Sequence, residues 1–208
     1  MKPSDGKSGG TATVVSRETQ ERLDAFICLL FKWNRTINLI SRKDEAEIWP
    51  RHVQDALQLI SFLPEIPGPM IDLGSGAGFP GLVLAIATQR QVHLIESDHR
   101  KSAFLREATR VTGASATIHT ARIETIALPK VRVVTARAVA PLDQLIGLAQ
   151  NFLLHDGFLL APKGTNAFAE LTAARTQWHM TVQSAPSMTS ADATIFKISE
   201  VRRVGSDT

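Results

Sequence analysis

Cysteine is almost absent from this 208-residue chain, in which Cys28 is the single example. One cysteine excludes an intrachain disulfide framework and a thiolate metal cluster, and it suits a reducing compartment. The longest apolar runs, FICLLF and GLVLAIA, are far too short to cross a bilayer. Residues 1–15 lack the apolar core of a secretory signal, so we expect a flexible leader and a cytoplasmic protein without a membrane partner.

Charge is small overall and unevenly distributed. The formal net charge is +3, with 10 Lys/Arg against 12 Asp/Glu in residues 1–99 and 13 against 8 in residues 100–208. A basic second half is compatible with a polyanionic partner, although surpluses of this size also occur on surfaces without one. None of the six histidines has metal-ligand spacing with acids or cysteine, so no metal is expected.

The first part of the chain has a helical pattern. Across residues 16–63 apolar residues recur at three- and four-residue spacing, as at Leu23, Phe26 and Leu30. Cys28 lies among apolar neighbours here, and we expect a core thiol. Three prolines in PEIPGP, which follows, mark a boundary. The predicted organisation is a leader at 1–15, a helical cap at 16–66 and a second domain at 67–208.

Strands and helices alternate after the prolines. This alternation predicts an α/β fold, a doubly wound parallel sheet with helices on both faces, whose ligands bind beyond the carboxyl ends of the strands. The predicted strands are 70–73, 91–97, 116–121, 131–136, 158–164, 181–186 and 193–201. The predicted helices are 81–89, 98–113, 141–157 and 165–180, with Asp98 as an N-cap and Gly81 allowing close approach to the sheet.

The segment PMIDLGSGAGFPG, residues 69–81, is a strand followed by a glycine-rich turn and a helix. GAGFPG satisfies the G-x-G-x-x-G spacing of a dinucleotide site. DLGSGAG equally satisfies an acidic-x-G-x-G-x-G spacing that is found at S-adenosylmethionine sites. Spacing alone does not separate the two ligands.

Two acidic residues bear on the choice. Glu96 ends the second predicted strand, 20 residues past Gly76, where a carboxylate accepts hydrogen bonds from an adenosine ribose in either ligand. Asp72 stands at the mouth of the turn, where it would repel a pyrophosphate and favour an ammonium and a sulfonium. No Lys or Arg occurs from residue 70 to 89. We therefore expect S-adenosyl-L-methionine, bound by Asp72, Gly74, Gly76, Gly78 and Glu96.

The methyl acceptor is constrained by what the chain lacks. Cys28 in the helical region does not look like a nucleophile for pyrimidine methylation. TARAVAPL (Thr135 to Leu142), after the fourth strand, has no Asn/Asp-Pro-Pro-aromatic loop of the kind that accompanies adenine amino-group methylation. Guanine N7 has a free lone pair and needs no catalytic base, so an enzyme has only to align the reactants and exclude water.

The sequence resembles the RsmG (GidB) family, bacterial small-subunit ribosomal RNA guanine-N7 methyltransferases. The resemblance implies a class I methyltransferase (Rossmann-like) fold with a seven-stranded, mostly parallel sheet and an N-terminal helical cap. It also implies methylation of one guanine in the decoding region of 16S rRNA. The matching segments are KWNRTINLIS (32–41), RHVQDAL (51–57), IDLGSGAGFPGLVLAI (71–86), ESDHRKSAFLRE (96–107), ARIET (121–125), ARAVAPL (136–142) and PKG (162–164).

The same resemblance implies particular cofactor contacts, whereas the RNA contacts are predicted from the positions of basic residues near strand ends. Cofactor contacts would come from Gly74, Phe79, Ile123, Glu124 and Arg137. The predicted RNA-binding residues, all near strand ends, are Arg100, Lys101, Arg122 and Lys163. Arg137 and Lys163 are the candidate catalytic residues, since either could bind guanine O6 and leave N7 free. Asn34, Asn38 and His52 either orient these groups or form a buried polar network.

The expected partner is 16S rRNA in the small ribosomal subunit or its assembly intermediate, and a monomer is expected. Two other hypotheses stay open at this point. One is a dinucleotide-dependent oxidoreductase, because of the overlapping glycine spacing. The other is a catalytically silent RNA-binding module that keeps the fold.

Overall fold

The computed structural model describes residues 14–205, so most of the predicted leader lies outside the described residues. Helical segments form the first part of this range, and strands alternate with helices in the rest. The helices are α1 (Arg17–Asn34), α2 (Arg42–Ala46), a π-helical turn (Trp49–Gln54), α3 (Asp55–Leu57), a 3-10 turn (Gln58–Phe62), α4 (Gly81–Thr88), α5 (His99–Thr112), α6 (Leu142–Ala149) and α7 (Ala167–Ala174).

Seven strands form one sheet in the order β3-β2-β1-β4-β5-β7-β6. The pairs from β3 to β5 are parallel, and β7 is antiparallel to both β5 and β6. The predicted doubly wound, mostly parallel seven-stranded sheet is confirmed. The strands are β1 (Met70–Leu73), β2 (Val92–Glu96), β3 (Ala116–Thr120), β4 (Val131–Ala136), β5 (Leu153–Lys163), β6 (Trp178–Pro186) and β7 (Thr194–Arg203).

Helix α1 begins where a side chain can cap it. The Oγ of Ser16 accepts a hydrogen bond from the amide of Thr19, which satisfies one of the free N–H groups of the first turn. Leu23, Phe26 and Leu30 have no exposed surface, so the predicted apolar stripe is confirmed. The expectation of a core thiol at Cys28 was wrong, because this residue lies off the stripe and is exposed.

The cap and the sheet share one hydrophobic core. Leu23 and Leu57 of the cap belong to the same buried cluster as Met70 of β1 and Leu82 of α4. The rings of Phe26 and Phe79 lie 5.4 Å apart between centroids, which joins α1 to the glycine-rich turn. The cap therefore covers one face of the sheet at the ligand-binding edge. The predicted boundary at residue 66 lies between the last cap turn and β1 and stays a prediction.

Two predicted helices were too long at their carboxyl ends. The helix predicted over 141–157 ends at Ala149, because the next apolar residues pair in the sheet from Leu153, opposite Val131. The helix predicted over 165–180 ends at Ala174, and Trp178 already pairs with β7. In both cases strand pairing overrides an apolar spacing that also fits a helix. The helix over 98–113 is confirmed, with Asp98 at its N-cap and Gly113 in a left-handed C-cap.

Candidate active site

The glycine-rich turn follows β1 directly at the carboxyl edge of the sheet. Gly74, Gly76 and Gly78 have φ values of 62°, 55° and 92°, a region that other residues rarely adopt. A Cβ at Gly74 would lie 2.8 Å from Cγ2 of Val139 in the segment after β4. A Cβ at Gly76 would instead meet only the carbonyl oxygen of Gly74, at an ordinary contact distance of 3.8 Å. The turn thus presents bare backbone to a ligand space.

Glu96 lies across this turn at the end of β2. One carboxylate oxygen, Oε2, accepts a hydrogen bond from the amide of Gly76 at 2.8 Å. The other, Oε1, accepts one from the amide of Asp98 at 2.8 Å. The residue is 8% exposed. Each oxygen keeps a second acceptor site, so the carboxylate is held in a fixed orientation and can still accept from hydroxyl groups.

Asp72 lies beneath the turn and has no exposed surface. Its Oδ1 accepts a hydrogen bond from Oγ1 of Thr135 at 2.6 Å, while Oδ2 is buried against Gly81, whose backbone amide makes at most a weak hydrogen bond to this carboxylate. Burial raises the pKa of this carboxyl to about 6, against the lowering effect of the hydrogen bond from Thr135. Because the side chain is enclosed, the contact expected from the sequence is not direct in this arrangement. Asp72 therefore acts on a ligand at the turn through the electrostatic potential of its carboxylate and not through a direct hydrogen bond.

Gly81 explains how Asp72 fits below the first turn of α4. A Cβ at position 81 would lie 2.5 Å from the Cβ and 2.6 Å from Oδ2 of Asp72. No real side chain tolerates such a contact, so the prediction of close approach at Gly81 is confirmed, with Asp72 as its reason.

Arg137, after β4, is held mainly by the cap. Its Nη2 donates to Nδ1 of His52 at 2.6 Å, and its Nη1 lies 3.3 Å from Oδ2 of Asp55. The guanidinium carbon lies 5.3 Å from the ring centroid of Phe79, which is 4% exposed. Burial lowers the pKa of Arg137, and the Asp55 carboxylate opposes that shift. Within the described residues, its Nε–H and one Nη2 hydrogen have no bonding partner and remain available to a ligand.

The protonation state of His52 follows from this contact. A guanidinium only donates, so Nδ1 of His52 is the acceptor and the ring proton is on Nε2. Burial, and after it the positive charge of Arg137, lowers the pKa of His52 to about 4. The imidazole is therefore neutral at physiological pH, and it packs 5.0 Å from the Phe79 ring.

A cleft of about 450 Å³ opens beyond the carboxyl ends of β4 and β5. Its wall includes Arg137, Asp55 and Lys163, and the turn between β6 and β7 contributes Ser187. Val139 lines this cleft and also packs against Gly74, so the cleft adjoins the glycine-rich turn. A second ligand bound in the cleft would therefore lie next to a ligand bound at the glycine-rich turn.

Lys163 is buried at the edge of the cleft. Its Nζ donates to the carbonyl of Ala140 at 2.8 Å and forms an ion pair with Oε2 of Glu170 at 2.8 Å. The same Glu170 oxygen accepts from the amide of Leu142 at 2.9 Å. Lys163 and Glu170 thus brace the segment 138–142, and one ammonium hydrogen is left for a substrate. A phosphate contact would compete with this ion pair.

The other predicted site residues lie around the same edge. Ile123 is half-buried and Glu124 is exposed in the turn after β3. Arg100 and Arg122 are exposed, and Lys101 is half-buried. In the described part of the chain, Arg137 forms hydrogen bonds and ion pairs with none of these side chains, so they lie at the same sheet edge but outside the group formed by Arg137, His52 and Asp55.

Asn34 and Asn38 differ in role. Oδ1 of Asn34 accepts from the amides of Leu39 and Ile40, and its Nδ2 donates to Glu45 and to the carbonyl of Ile40. It therefore stabilises the loop after α1, which is the polar-network alternative. Asn38 is exposed beside Arg100 and Lys101 in a small cleft of about 130 Å³.

Sequence reasoning missed three contributors, which lie in two segments of the chain. Asp55 was noticed only as part of the RHVQDAL segment, although it contacts both Arg137 and the β6–β7 turn. Ser187 and Thr189, in that turn, carried no sequence signal, because their contact with Asp55 spans more than 130 residues. Across residues 14–205 there is no group of three or more His, Cys, Asp or Glu placed to hold a metal ion. Nor does any helix in that range have the length and apolarity to cross a membrane.

The residues at the turn fit S-adenosyl-L-methionine. Open backbone next to Gly76 and the oriented carboxylate of Glu96 suit an adenosine ribose. The negative charge of the buried Asp72 carboxylate suits a cationic ligand and disfavours a pyrophosphate.

Two solved structures share this arrangement of strands and helices. Ribosomal protein L11 methylase from Lactobacillus delbrueckii subsp. bulgaricus is 15% identical, with a TM-score of 0.58 over 72% of this chain and 78% of that chain. M. jannaschii TYW2 in complex with AdoMet is 14% identical, with a TM-score of 0.54 over 82% of this chain and 80% of that chain. These likenesses and the strand order define the class I S-adenosylmethionine-dependent methyltransferase fold.

Within that class, the chain belongs to the family rRNA small subunit methyltransferase G (GidB), whose sequence model matches residues 19–197. It is 52% identical over 190 residues to Ribosomal RNA small subunit methyltransferase G of Granulibacter bethesdensis, covering 91% of this chain and 89% of the relative. The protein of that name from Gluconobacter oxydans is 52% identical over 193 residues, or 92% of this chain and 99% of the relative. The chain is a methyltransferase that uses S-adenosyl-L-methionine. The oxidoreductase and silent-module hypotheses are not favoured.

Proposed function

We propose that the protein transfers a methyl group from S-adenosyl-L-methionine to N7 of one guanine in the decoding region of 16S rRNA. The observation that carries the acceptor assignment is the cleft beside the glycine-rich turn, with Arg137 at its wall and free donors on that side chain. Family membership supports the substrate class.

The glycine-rich turn and Glu96 hold the cofactor in this proposal. Backbone at Gly74 and Gly76 leaves room for the ligand, and Glu96 accepts from the ribose hydroxyls. Ile123 and Glu124 lie after the neighbouring strand and contact the adenine edge. When bound, S-adenosyl-L-methionine supplies an electrophilic methyl group on a positive sulfur, and the buried charge of Asp72 favours that cation.

Arg137 aligns the acceptor base in the cleft. A guanidinium N–H donates to guanine O6, which fixes the ring and leaves the N7 lone pair unprotonated and free. Guanine N7 carries no proton, so no general base is required. The ring becomes cationic on methylation, and a positive Arg137 is tolerable there because Asp55 offsets its charge.

Cations at the carboxyl edge of the sheet bind the RNA backbone. Arg100, Lys101 and Arg122 contact phosphates around the target, while Lys163 braces the wall of the cleft and offers its remaining hydrogen to the substrate. We further infer that the protein acts as a monomer in the cytoplasm on the small subunit or its assembly intermediate. The molar mass of the purified protein, measured by light scattering, tests whether it is a monomer.

Transfer of tritiated methyl groups tests the proposed function. Small subunits from a strain that lacks this methyltransferase should become labelled, whereas subunits from the parent strain should not. Labelling of neither set would refute the assignment. Titration calorimetry on the same protein should show binding of S-adenosyl-L-methionine and no binding of NAD(H).

A further inference from the structure

Asp55 lies where three distant segments meet beside the cleft. Its Oδ2 is 3.3 Å from Nη1 of Arg137, and its Oδ1 accepts from Oγ1 of Thr189 at 3.0 Å. These contacts span 82 and 134 residues. We propose that Asp55 is a positioning residue for methyl transfer, which fixes the Arg137 guanidinium at the cleft and links it to the β6–β7 turn (residues 187–193). This inference rests on the proposed function of the cleft.

A buried glutamine completes the link to the turn. Gln58 is 2% exposed, and its Nε2 donates to Oδ1 of Asp55 at 2.7 Å and to Oγ of Ser187 at 3.1 Å. Its Oε1 accepts from the amide of Met188 at 2.8 Å. The turn at 187–193 is therefore held through side chains of the cap. Met188 itself is 50% exposed next to the cleft wall formed by Ser187.

Charge explains why an acid is needed at this position. The other groups in contact with the guanidinium are the neutral ring of His52, the ring of Phe79 and the carbonyl of Arg51, while the charges of Asp72 and Asp44 act on it from beyond ion-pair distance. Within residues 14–205, Asp55 is the one acid at ion-pair distance from Arg137, and the two side chains are 13% and 21% exposed. Without it, a largely enclosed guanidinium has no adjacent counter-ion and moves toward solvent.

The substitution Asp55→Asn keeps the size of the side chain and its ability to accept from Thr189. We expect methyl transfer at saturating S-adenosyl-L-methionine to fall by about ten- to hundredfold, because a displaced aligning group is costly. Affinity for the cofactor should stay within about twofold, since no hydrogen bond of the Asp55 side chain reaches the glycine-rich turn. Glu65→Gln, an exposed acid of the same region, is the control and should transfer at the wild-type rate.

A double-mutant cycle separates positioning from a general loss of structure. If Asp55 acts through Arg137, the variant Asp55→Asn with Arg137→Gln should be no slower than Arg137→Gln alone. Fully additive losses, or a wild-type rate for Asp55→Asn, would overturn the inference. Should Asp55→Asn fail to fold, Thr189→Val should slow transfer several-fold and Thr189→Ser should restore it. Equal rates for these two variants would count against the link.

Hydrogen exchange gives a readout that is independent of activity. In Asp55→Asn the amide of Met188 should exchange faster than in wild type, because its acceptor Gln58 loses the charged partner that orients it. Unchanged exchange across residues 187–193 would contradict the link. A wild-type protein that transfers no methyl group would refute the proposed function, and the exchange result would still decide the role of Asp55 in holding the turn.

Discussion

The cofactor side and the acceptor side of this site are built differently. The glycine-rich turn is a continuous stretch from Asp72 to Gly81, completed by Glu96 only 20 residues past Gly76. The acceptor side instead brings together Asp55, Arg137 and Thr189 across as many as 134 residues. The cofactor side can be predicted from a local sequence motif. The acceptor side cannot, because its residues come together only in the folded chain. Substitutions in the two regions should therefore separate cofactor binding from methyl transfer.

Replacing Arg137 should have the largest effect on the acceptor side. Arg137→Gln removes the donor to guanine O6, and loss of such an aligning donor costs about a hundred- to thousandfold in rate. Methyl transfer to unmodified small subunits at saturating cofactor measures this effect. Affinity for S-adenosyl-L-methionine, measured by calorimetry, should fall by much less than the rate, because the link of Arg137 to the glycine-rich turn is its stacking on Phe79. Equal losses in rate and cofactor affinity would remove the distinction between the two regions.

Replacing Glu96 should have the opposite effect, in which cofactor affinity falls more than the rate of methyl transfer at saturating cofactor. Glu96→Ala removes the carboxylate that the amides of Gly76 and Asp98 orient toward the ribose. We expect cofactor affinity to fall by about ten- to hundredfold, since hydrogen bonds to a charged group contribute about 1.5–3 kcal/mol each. Asp156→Asn, an exposed acid far along the chain, is a suitable control for calorimetry. Wild-type affinity in Glu96→Ala would disprove its role at the ribose.

A pair of glycine substitutions tests the packing under the turn. Gly81→Ala forces a Cβ to within 2.6 Å of the Asp72 carboxylate, and overpacking of this kind costs about 1–3 kcal/mol. Gly68→Ala, where a Cβ meets nothing within 4 Å, should leave the free energy of unfolding nearly unchanged. Denaturant unfolding compares the two variants. Equal stabilities would mean that α4 does not pack on Asp72 as described.

The smallest expected effect is on the pH dependence of the free energy of unfolding. Asp72 on the cofactor side and His52 on the acceptor side contribute to it with opposite signs. Folding raises the pKa of Asp72 from 3.8 to about 6, so its contribution to stability decreases as pH rises through this window. Folding lowers the pKa of His52 from 6.5 to about 4, so its contribution decreases as pH falls through nearly the same window. In the wild-type protein the two slopes largely offset each other between about pH 4 and 6.

Single variants should reveal how Asp72 and His52 each change the free energy of unfolding with pH. Relative to wild type, Asp72→Asn should gain stability as pH rises from about 4 to 6, and His52→Gln should lose it. Unfolding free energies measured at several pH values give the comparison. Parallel curves for wild type and both variants would show that neither group titrates as its burial implies.

The difference between local and long-range contacts also explains which features could be predicted from the sequence. The apolar stripe of α1, the N-cap at Asp98 and the glycine-rich turn depend on neighbours within a few residues, and all three were predicted correctly. The end of α6 was not, because Leu153 pairs with Val131 in a way that local spacing does not encode. The contact of Asp55 with Thr189 was missed for the same physical reason.

Burial also changed how individual site residues are understood. The sequence placed Asp72 and Lys163 at strand ends, which predicts accessible charges. The structure encloses Asp72 under α4 and pairs Lys163 with Glu170, because the elements that follow each strand fold back over its end. Position along the chain was thus predictable, and exposure was not. The ligand contacts of these residues remain predictions.

Chemical mapping of the methylated base tests the central claim most directly. Small subunits from the deletion strain, treated with the protein and S-adenosyl-L-methionine, are cleaved with borohydride and aniline, which break the chain at 7-methylguanosine. Primer extension should then stop at a single guanine in the decoding region of 16S rRNA, and should not do so with the Arg137→Gln variant. Incorporation of methyl groups without such a stop, or stops outside that region, would contradict the account.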